Sequence, residues 1–205
     1  MAEVAKKVDR RIQRTRELLR QALMSLIVER GYEAITIQDI TERANVARTT
    51  FYLHFRDKDD LLFQTMRDVY EEIAARVDEH YAHLLQQGIP DQADASDFQH
   101  IADFAEFYKI MLSERGSAAF LVRVRSYLAE MIQKQVIAPI MPPSGTPNLP
   151  PDLVGYLIAG MQIAAYYWWL QRDMQPSAQI MAQWVQDYCV RGVLWALAPQ
   201  EPPKP

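Results

Sequence analysis

Residues 36–61, TIQDITERANVARTTFYLHFRDKDDL, decide how this chain folds. Thr36 is a polar residue suited to cap a helix. Ile37, Ile40 and Ala44 follow at helical spacing on one face. Asn45 comes after the last periodic residue, and asparagine tolerates the left-handed backbone that a tight turn between helices needs. Val46 plugs the angle between the two helices. Ala47–Phe55 then offers Arg48, Thr49, Thr50, Tyr52 and His54 as polar groups, while Phe51, Leu53 and Phe55, with Leu61 beyond, read as core. Two short helices joined in this way make a helix-turn-helix, whose second helix can lie in a DNA major groove.

The run T-I-x-D-I-x-x-x-A-x-V-x-x-x-T-F-Y-x-H-F-x-x-K-x-x-L, from Thr36 to Leu61, resembles the DNA-binding segment of the TetR family of transcriptional regulators. Two positions depart from that pattern. Asn45 stands where the family usually has glycine, and Ala47 where it usually has the serine or threonine that caps the recognition helix. Alanine cannot cap, at a cost of about 1 kcal/mol. The resemblance implies an all-α protein with a three-helix reader followed by a larger helical domain for ligand binding and dimerisation.

The 205 residues suffice for such a pair of domains, and 49% are hydrophobic, enough for a packed core. No stretch alternates at period two, so no sheet is expected. The net charge of −4 hides a division. Residues 1–58 hold 12 Lys/Arg against 8 Asp/Glu, a net of +4, and the remainder is net −8. The basic end coincides with the reader, where DNA attracts it by counterion release. The single cysteine, Cys189, excludes an internal disulfide and fits a reducing compartment. The amino-terminal segment lacks the apolar core of a signal peptide, so the expected location is the cytoplasm.

The pattern divides the chain into a helix-turn-helix domain over 1–57 with a basic amino-terminal arm, a helical regulatory and dimerisation domain over 58–198, and a Pro-rich tail over 199–205. The first helix is expected from about Arg10 to Arg30, where Gly31 ends it. Asp57 caps a long helix from about Lys58 to Gln86, with Asp60 completing a weak capping box. Further helices are expected at about 98–112, 118–138, 153–174 and 178–197. Six prolines between 139 and 151 make the intervening segment a loop.

Leu153–Leu170 has no charge in 18 residues, a marginal length for crossing a membrane. A helix buried within protein accounts for it better, because the helix that follows is amphipathic and no second span accompanies it. The family resemblance implies that these last two helices pair with their copies in a second subunit. Gly160, Ala164 and Trp168 on one, with Trp184, Tyr188 and Trp195 on the other, are the interface candidates. A two-fold homodimer is the commonest oligomer in any case.

By resemblance Tyr52, His54 and Lys58 hold DNA phosphates. Thr36 can offer its hydroxyl and nearby amides to another. Arg48, Thr49 and Thr50, on the first turn of the reading helix, are placed to reach base edges: Arg48 for guanine O6 and N7, the threonine methyls for thymine. Family membership further implies a repressor released by a small-molecule effector of unknown identity. Its pocket walls are expected among Phe107, Met111, Arg123, Tyr127, Met161 and Tyr166. No cofactor is expected. The pair His80 and His83 is read as solvated rather than as a metal site, and no catalytic constellation is visible, so no enzymatic activity is expected. The competing reading is a helical ligand- or partner-binding protein without specific DNA recognition.

Overall fold

The computed structural model describes residues 2–67, 71, 92–141 and 146–198, with the backbone alone over 2–9. Among these residues the regular structure is helical: α1 (Ala2–Arg30), α2 (Ile37–Arg43), α3 (Arg48–His54), α4 (58–67), α5 (Ser96–Asp103), α6 (Ala105–Met111), α7 (Ala118–Ile132), α8 (Pro151–Leu170) and α9 (Ala178–Leu197). The chain forms two compact units. One is Met1–Val69 with Glu106–Phe120, and the other Tyr70–Ala105 with Leu121–Pro205.

The core of the first unit is the stripe of α1. Leu19, Leu23, Leu26 and Ile27 are fully buried, together with Ile40 of α2, Phe51 of α3, and Leu61 and Leu62 of α4. Each such side chain contributes about 1.5–3 kcal/mol of transfer free energy. Gly31 ends α1 at φ 78°, and its amide returns to the Ile27 carbonyl at 2.8 Å. Tyr32 then anchors the passage to α2. Its phenol donates to the Asp59 carboxylate, and its amide donates to the Arg115 carbonyl at 3.2 Å. Burial and the neighbouring Asp59 push the phenol's pKa far up, so it remains a donor. Asp57 caps α4 by accepting from the Asp60 amide at 2.7 Å, but Asp60 reaches back to the Arg56 amide at 3.0 Å.

The second unit holds α5, most of α7, α8 and α9, with Trp169 of α8 fully buried in it. The Phe98 ring meets Tyr166 at 5.1 Å and Trp169 at 5.3 Å, both edge-on. The Trp169 indole donates to the Pro176 carbonyl at 2.6 Å, so this buried polar group is satisfied. The Pro-rich loop closes the end of α9. Asn148 and Leu149 donate their amides to the Ala198 and Ala196 carbonyls, and the Asn148 side chain donates to the Trp195 carbonyl.

Several boundaries differ from the sequence reading. The first helix starts at Ala2, not near Arg10, because Ala2, Ala5, Lys6 and Lys7 favour helix and the loss of an apolar stripe does not itself end one. The helix expected over 98–112 breaks at Phe104 (φ −119°, ψ 32°), where no glycine or proline gives warning. The one expected over 118–138 widens into a π turn over Gln133–Ile137 before a last turn at Ala138–Ile140. Pro139 has no amide proton to give the Gln135 carbonyl, and Ala138 donates five residues back to Gln133. Helix α8 ends at Leu170, four residues early, with Asp173 and Met174 at φ 49° and 57°. Most of the helix expected to reach Gln86, with His80 and His83 on it, lies outside the described residues, as does the 199–205 tail.

At Gly155 the backbones of α7 and α8 approach closely: a Cβ there would stand 2.8 Å from the Ala129 carbonyl oxygen. Gly155→Ala should therefore lower stability. Overpacking of about 1–3 kcal/mol exceeds the roughly 0.5–1 kcal/mol that alanine gains in a helix. Urea denaturation should show a lower midpoint at unchanged slope. A midpoint equal to the parent's would mean that the two helices do not approach in this way.

Candidate nucleic-acid interface

The geometry of the reader begins with the cap of α2. Thr36 is extended (φ −105°, ψ 162°), and its hydroxyl accepts from the Asp39 amide at 3.2 Å. Asp39 accepts in return from the Thr36 amide at 2.9 Å, a reciprocal capping box. The Thr36 hydroxyl, which also donates to this carboxylate at 2.5 Å, and the Thr36 amide, with help from Arg30 at 3.2 Å, hold the Asp39 carboxyl below its ordinary range. The box satisfies the Thr36 and Asp39 amides. The Ile37 and Gln38 amides, at the first two helical positions, have no intrahelical acceptor and project from the positive end of the helix dipole.

The turn follows the sequence reading. Asn45 adopts φ 51°, and the Val46 amide closes the turn on the Thr41 carbonyl at 2.9 Å. Ala47 makes no side-chain cap. Phe51 and Phe55 lie one helical turn apart with rings 5.8 Å from each other, buried on the same side. Arg48, Thr49 and Tyr52 are exposed, and Thr50 is half-buried. The Arg48 guanidinium lies 5.8 Å from the Tyr52 ring centroid and reaches its hydroxyl at 3.3 Å. The two side chains thus stand together. Leu53, read as core from the sequence, is 81% exposed. At about 100° per residue it lies roughly 200° around the helix from Phe51, so the face that buries Phe51 cannot bury Leu53.

His54 is half-buried, and burial, with Arg16 nearby, holds its imidazole below 6.5. It is thus a neutral donor at pH 7. Lys58 is more committed than a free cation: its ammonium donates to the Tyr32 and Ile35 carbonyls, each at 2.9 Å, and lies 4.1 Å from the Tyr32 ring centroid. One of its three protons is left for another acceptor. On α1, Arg10, Arg11 and Arg14 are exposed, whereas Arg16 donates to Gln64 at 2.7 Å and stacks over Phe55.

The second unit holds a cavity of about 150 Å³. Of the expected wall residues, Met161 and Tyr166 line it. Phe107 and Met111 are buried in the first unit, Arg123 is exposed on α7, and Tyr127 donates to Glu71. The sequence reading missed the cavity's polar centre. Asp97 accepts from the Tyr166 phenol at 2.7 Å, the Gln162 amide at 3.2 Å and the Phe98 amide at 2.7 Å. Burial raises its pKa above the usual 3.8. Its side-chain partners Gln162 and Tyr166 lie more than sixty residues away along the chain, so no local pattern announces them. Cys189 also lines the cavity, where burial pushes its thiol up to about 11 and keeps it protonated.

The same helices present an uncovered apolar face. On α9 Ile180, Trp184, Tyr188 and Trp195 are 43–74% exposed, and on α8 Tyr156, Leu157, Tyr167 and Trp168 are 40–54% exposed. Ala164 is exposed among them, and a Cβ at Gly160 or Gly192 would meet nothing within 4 Å.

Comparison with known proteins agrees with this geometry. Residues 19–65 match a family model described as bacterial regulatory proteins, tetR family, and residues 96–189 match one described as a transcriptional regulator C-terminal region. Over 65 residues, 31% of this chain, it is 48% identical to the HTH-type transcriptional regulator YxbF of Bacillus subtilis (strain 168). The chain spans well under half the length of the curated relatives it matches, 17% of that one and 34% of another. Among solved structures, a TetR-family transcriptional regulator from Syntrophomonas wolfei superposes with a TM-score of 0.61 at 18% identity, covering 89% of this chain and 96% of that one. The regulator FadR of Bacillus subtilis, in complex with stearoyl-CoA, superposes with a TM-score of 0.56 at 18% identity, covering 86% and 98%. At those identities the likeness is one of fold.

The capping box sets a pH response. A carboxyl whose folded pKa is depressed adds stability that is complete above its unfolded value and is lost as the pH falls through the folded one. The Thr36 amide proton shift should therefore titrate with a midpoint below 3.8, the ordinary Asp39 value. Asp39→Asn should abolish that titration. A midpoint at or above 3.8 would mean that the box does not form in solution.

Proposed function

The chain belongs to the TetR family of transcriptional regulators, with a helix-turn-helix DNA-binding domain, and we propose that it binds a palindromic operator as a homodimer, represses from it in the cytoplasm, and is released by a small molecule held in the second unit. The observation that carries this reading is the division of α3: Phe51 and Phe55 are buried, while Arg48, Thr49 and Tyr52 are exposed, and Arg48 shares a surface recess with Gln38 of α2. Arg48 takes guanine, and Thr49 and Thr50 pack on thymine methyls. Tyr52, the neutral His54 and the α2 amides beside Thr36 hold phosphates, which fix register without reading sequence. Lys58 adds its remaining proton to that group and also fastens the passage between α1 and α2.

The dimer is the second element. Monomeric proteins rarely expose contiguous apolar patches of more than a few hundred Å². The aromatic stripe on α8 and α9 therefore favours a partner, and a second copy offers the same stripe through a two-fold axis. Gly160, Ala164 and Gly192 leave room for its side chains. Helix α8 is long and apolar enough to cross a membrane, but the stripe belongs to a pair of packed helices, which favours a protein partner over lipid. Two α3 helices in such a dimer would read half-sites about 34–36 Å apart. An effector that prefers a conformation with another spacing weakens operator binding by its differential affinity. FadR of Bacillus subtilis, a structure of this fold in complex with stearoyl-CoA, supports a small-molecule ligand as the effector. Met161 and Tyr166 are its wall residues here. Phe107, Met111, Arg123 and Tyr127 stand outside the cavity.

A gel shift on the DNA upstream of the chain's own gene, with competitor DNA and a salt series, tests this function. Specific retardation that outlasts random competitor supports it. Equal competition by random DNA favours a helical ligand- or partner-binding protein instead. Arg48→Ala should lower discrimination between operator and random DNA by about 1–3 kcal/mol, measured as a ratio of dissociation constants. Tyr188→Asp should give a monomer in sedimentation with unchanged helix content, because Tyr188 is 74% exposed. The same variant should lose operator binding. A parent protein that sediments as a monomer would contradict the dimer.

A further inference from the structure

The cavity of the second unit carries a statement about ligand chemistry, which rests on the reading of that unit as the effector domain. Its walls are apolar over most of their area: Leu128, Met131, Ile158, Met161, Val185 and Val190 face it from α7, α8 and α9. Its volume of about 150 Å³ matches that of a cavity able to hold a benzene molecule. The charged groups that line it are Asp94 and Asp97, and among the described lining residues there is no lysine or arginine. An anionic ligand would find repulsion and no counter-ion.

Asp97 is the unusual group. Its carboxylate lies among mostly apolar walls, and its partners among the described residues are all neutral: the Tyr166 phenol, the Gln162 amide and its neighbour's backbone amide. A buried charge without a counter-charge is unfavourable unless a cation joins it. The carboxylate offers about four acceptor positions and these three bonds occupy three. What the described part of the protein omits, a ligand can bring. We propose that this cavity receives a compact organic amine, with an apolar body about the size of a benzene ring and an ammonium group on Asp97. Met131 and Met161 adapt the walls to the body, since methionine fills irregular space at little strain. The neutral Cys189 thiol behaves as part of the apolar lining.

Titration calorimetry on the full chain with benzylamine, benzyl alcohol and benzoate tests this, because the three share a ring and differ in charge. Benzylamine should bind, benzyl alcohol about tenfold or more weakly, and benzoate not at all, since hydrogen bonds to charged groups are the strong ones. Asp97→Asn keeps the shape and the acceptor for the Phe98 amide. It should lower benzylamine affinity about tenfold or more and leave benzyl alcohol unchanged. Met161→Trp, which fills the cavity, should abolish both. Benzoate binding as tightly as benzylamine would overturn the proposal, as would an Asp97→Asn protein that binds benzylamine as the parent does, or silence with all three at millimolar concentration. The ligand-free gel shift separates the two readings: specific operator binding with silent calorimetry sinks the amine alone, whereas absent operator binding sinks the regulator and leaves the calorimetric result standing.

Discussion

The burial of Phe51 and Phe55 is the constraint on which the reader depends. Helix α3 has seven residues, far below the roughly 12–15 at which an isolated helix becomes even marginal. It has no side-chain cap at Ala47. Its stability must come from the two rings packed into the core of the first unit. That anchoring leaves little choice for the rest of the helix. Once position 51 faces inward, positions 49 and 53, about 200° around the helix from it, face water. Arg48, at the first helical position, and Tyr52, at the flank of the buried face, are exposed as well, and these side chains are free to be chosen for DNA. Leu53 shares that exposed position without sharing the chemistry, and nothing in the structure explains it.

A second constraint lies where α4 meets the passage from α1 to α2. Tyr32 donates to Asp59, and its carbonyl and that of Ile35 accept from Lys58. This junction fixes where α2 starts, and with it the direction of the α2 amides. The sequence pattern assigns Lys58 to phosphate alone, because spacing reports position and not partners. The structure gives its ammonium two structural bonds as well. A variant at this position therefore changes reader geometry together with charge, and its effect on DNA affinity cannot be read as a lost phosphate contact alone. Arg48 and Tyr52 have a milder form of the same commitment, a cation resting on the edge of a phenol.

Legibility followed the range of the interactions. The turn at Asn45, the cap at Thr36 and the stop at Gly31 are each set within a few residues, and all were readable from the chain. The break at Phe104 was not, because no glycine or proline marks it, and Pro139 announces a missing amide without saying that the helix answers it with a π turn. The cavity was the least readable feature. Asp97 carries no local signal of its role, because its side-chain partners Gln162 and Tyr166 lie on α8. Only the fold brings them together. Met161 and Tyr166 were found as wall residues because they belong to α8, whose apolar character was plain. Phe107 and Met111 were equally apolar, but their helix joins the other unit, and composition cannot tell which core an apolar residue enters.

The two faces of α8 and α9 make the proposed regulation physically economical. Met161 and Tyr166 on α8, with Val185 and Cys189 on α9, look into the cavity. Trp168 on α8, with Trp184 and Tyr188 on α9, looks out. Both sets are fixed to the same two rods, and packed helices move as units rather than deforming residue by residue. A ligand that shifts α8 against α9 therefore shifts the outward aromatics by a comparable distance. In a two-fold dimer built on those aromatics the shift is applied twice, once from each protomer. A cavity of about 150 Å³ limits how much shift a ligand can impose. The coupling must then come from how sharply the aromatic interface distinguishes two arrangements, not from the size of the ligand. Trp184, Tyr188 and Trp195, large and rigid with few rotatable bonds, are side chains suited to that discrimination.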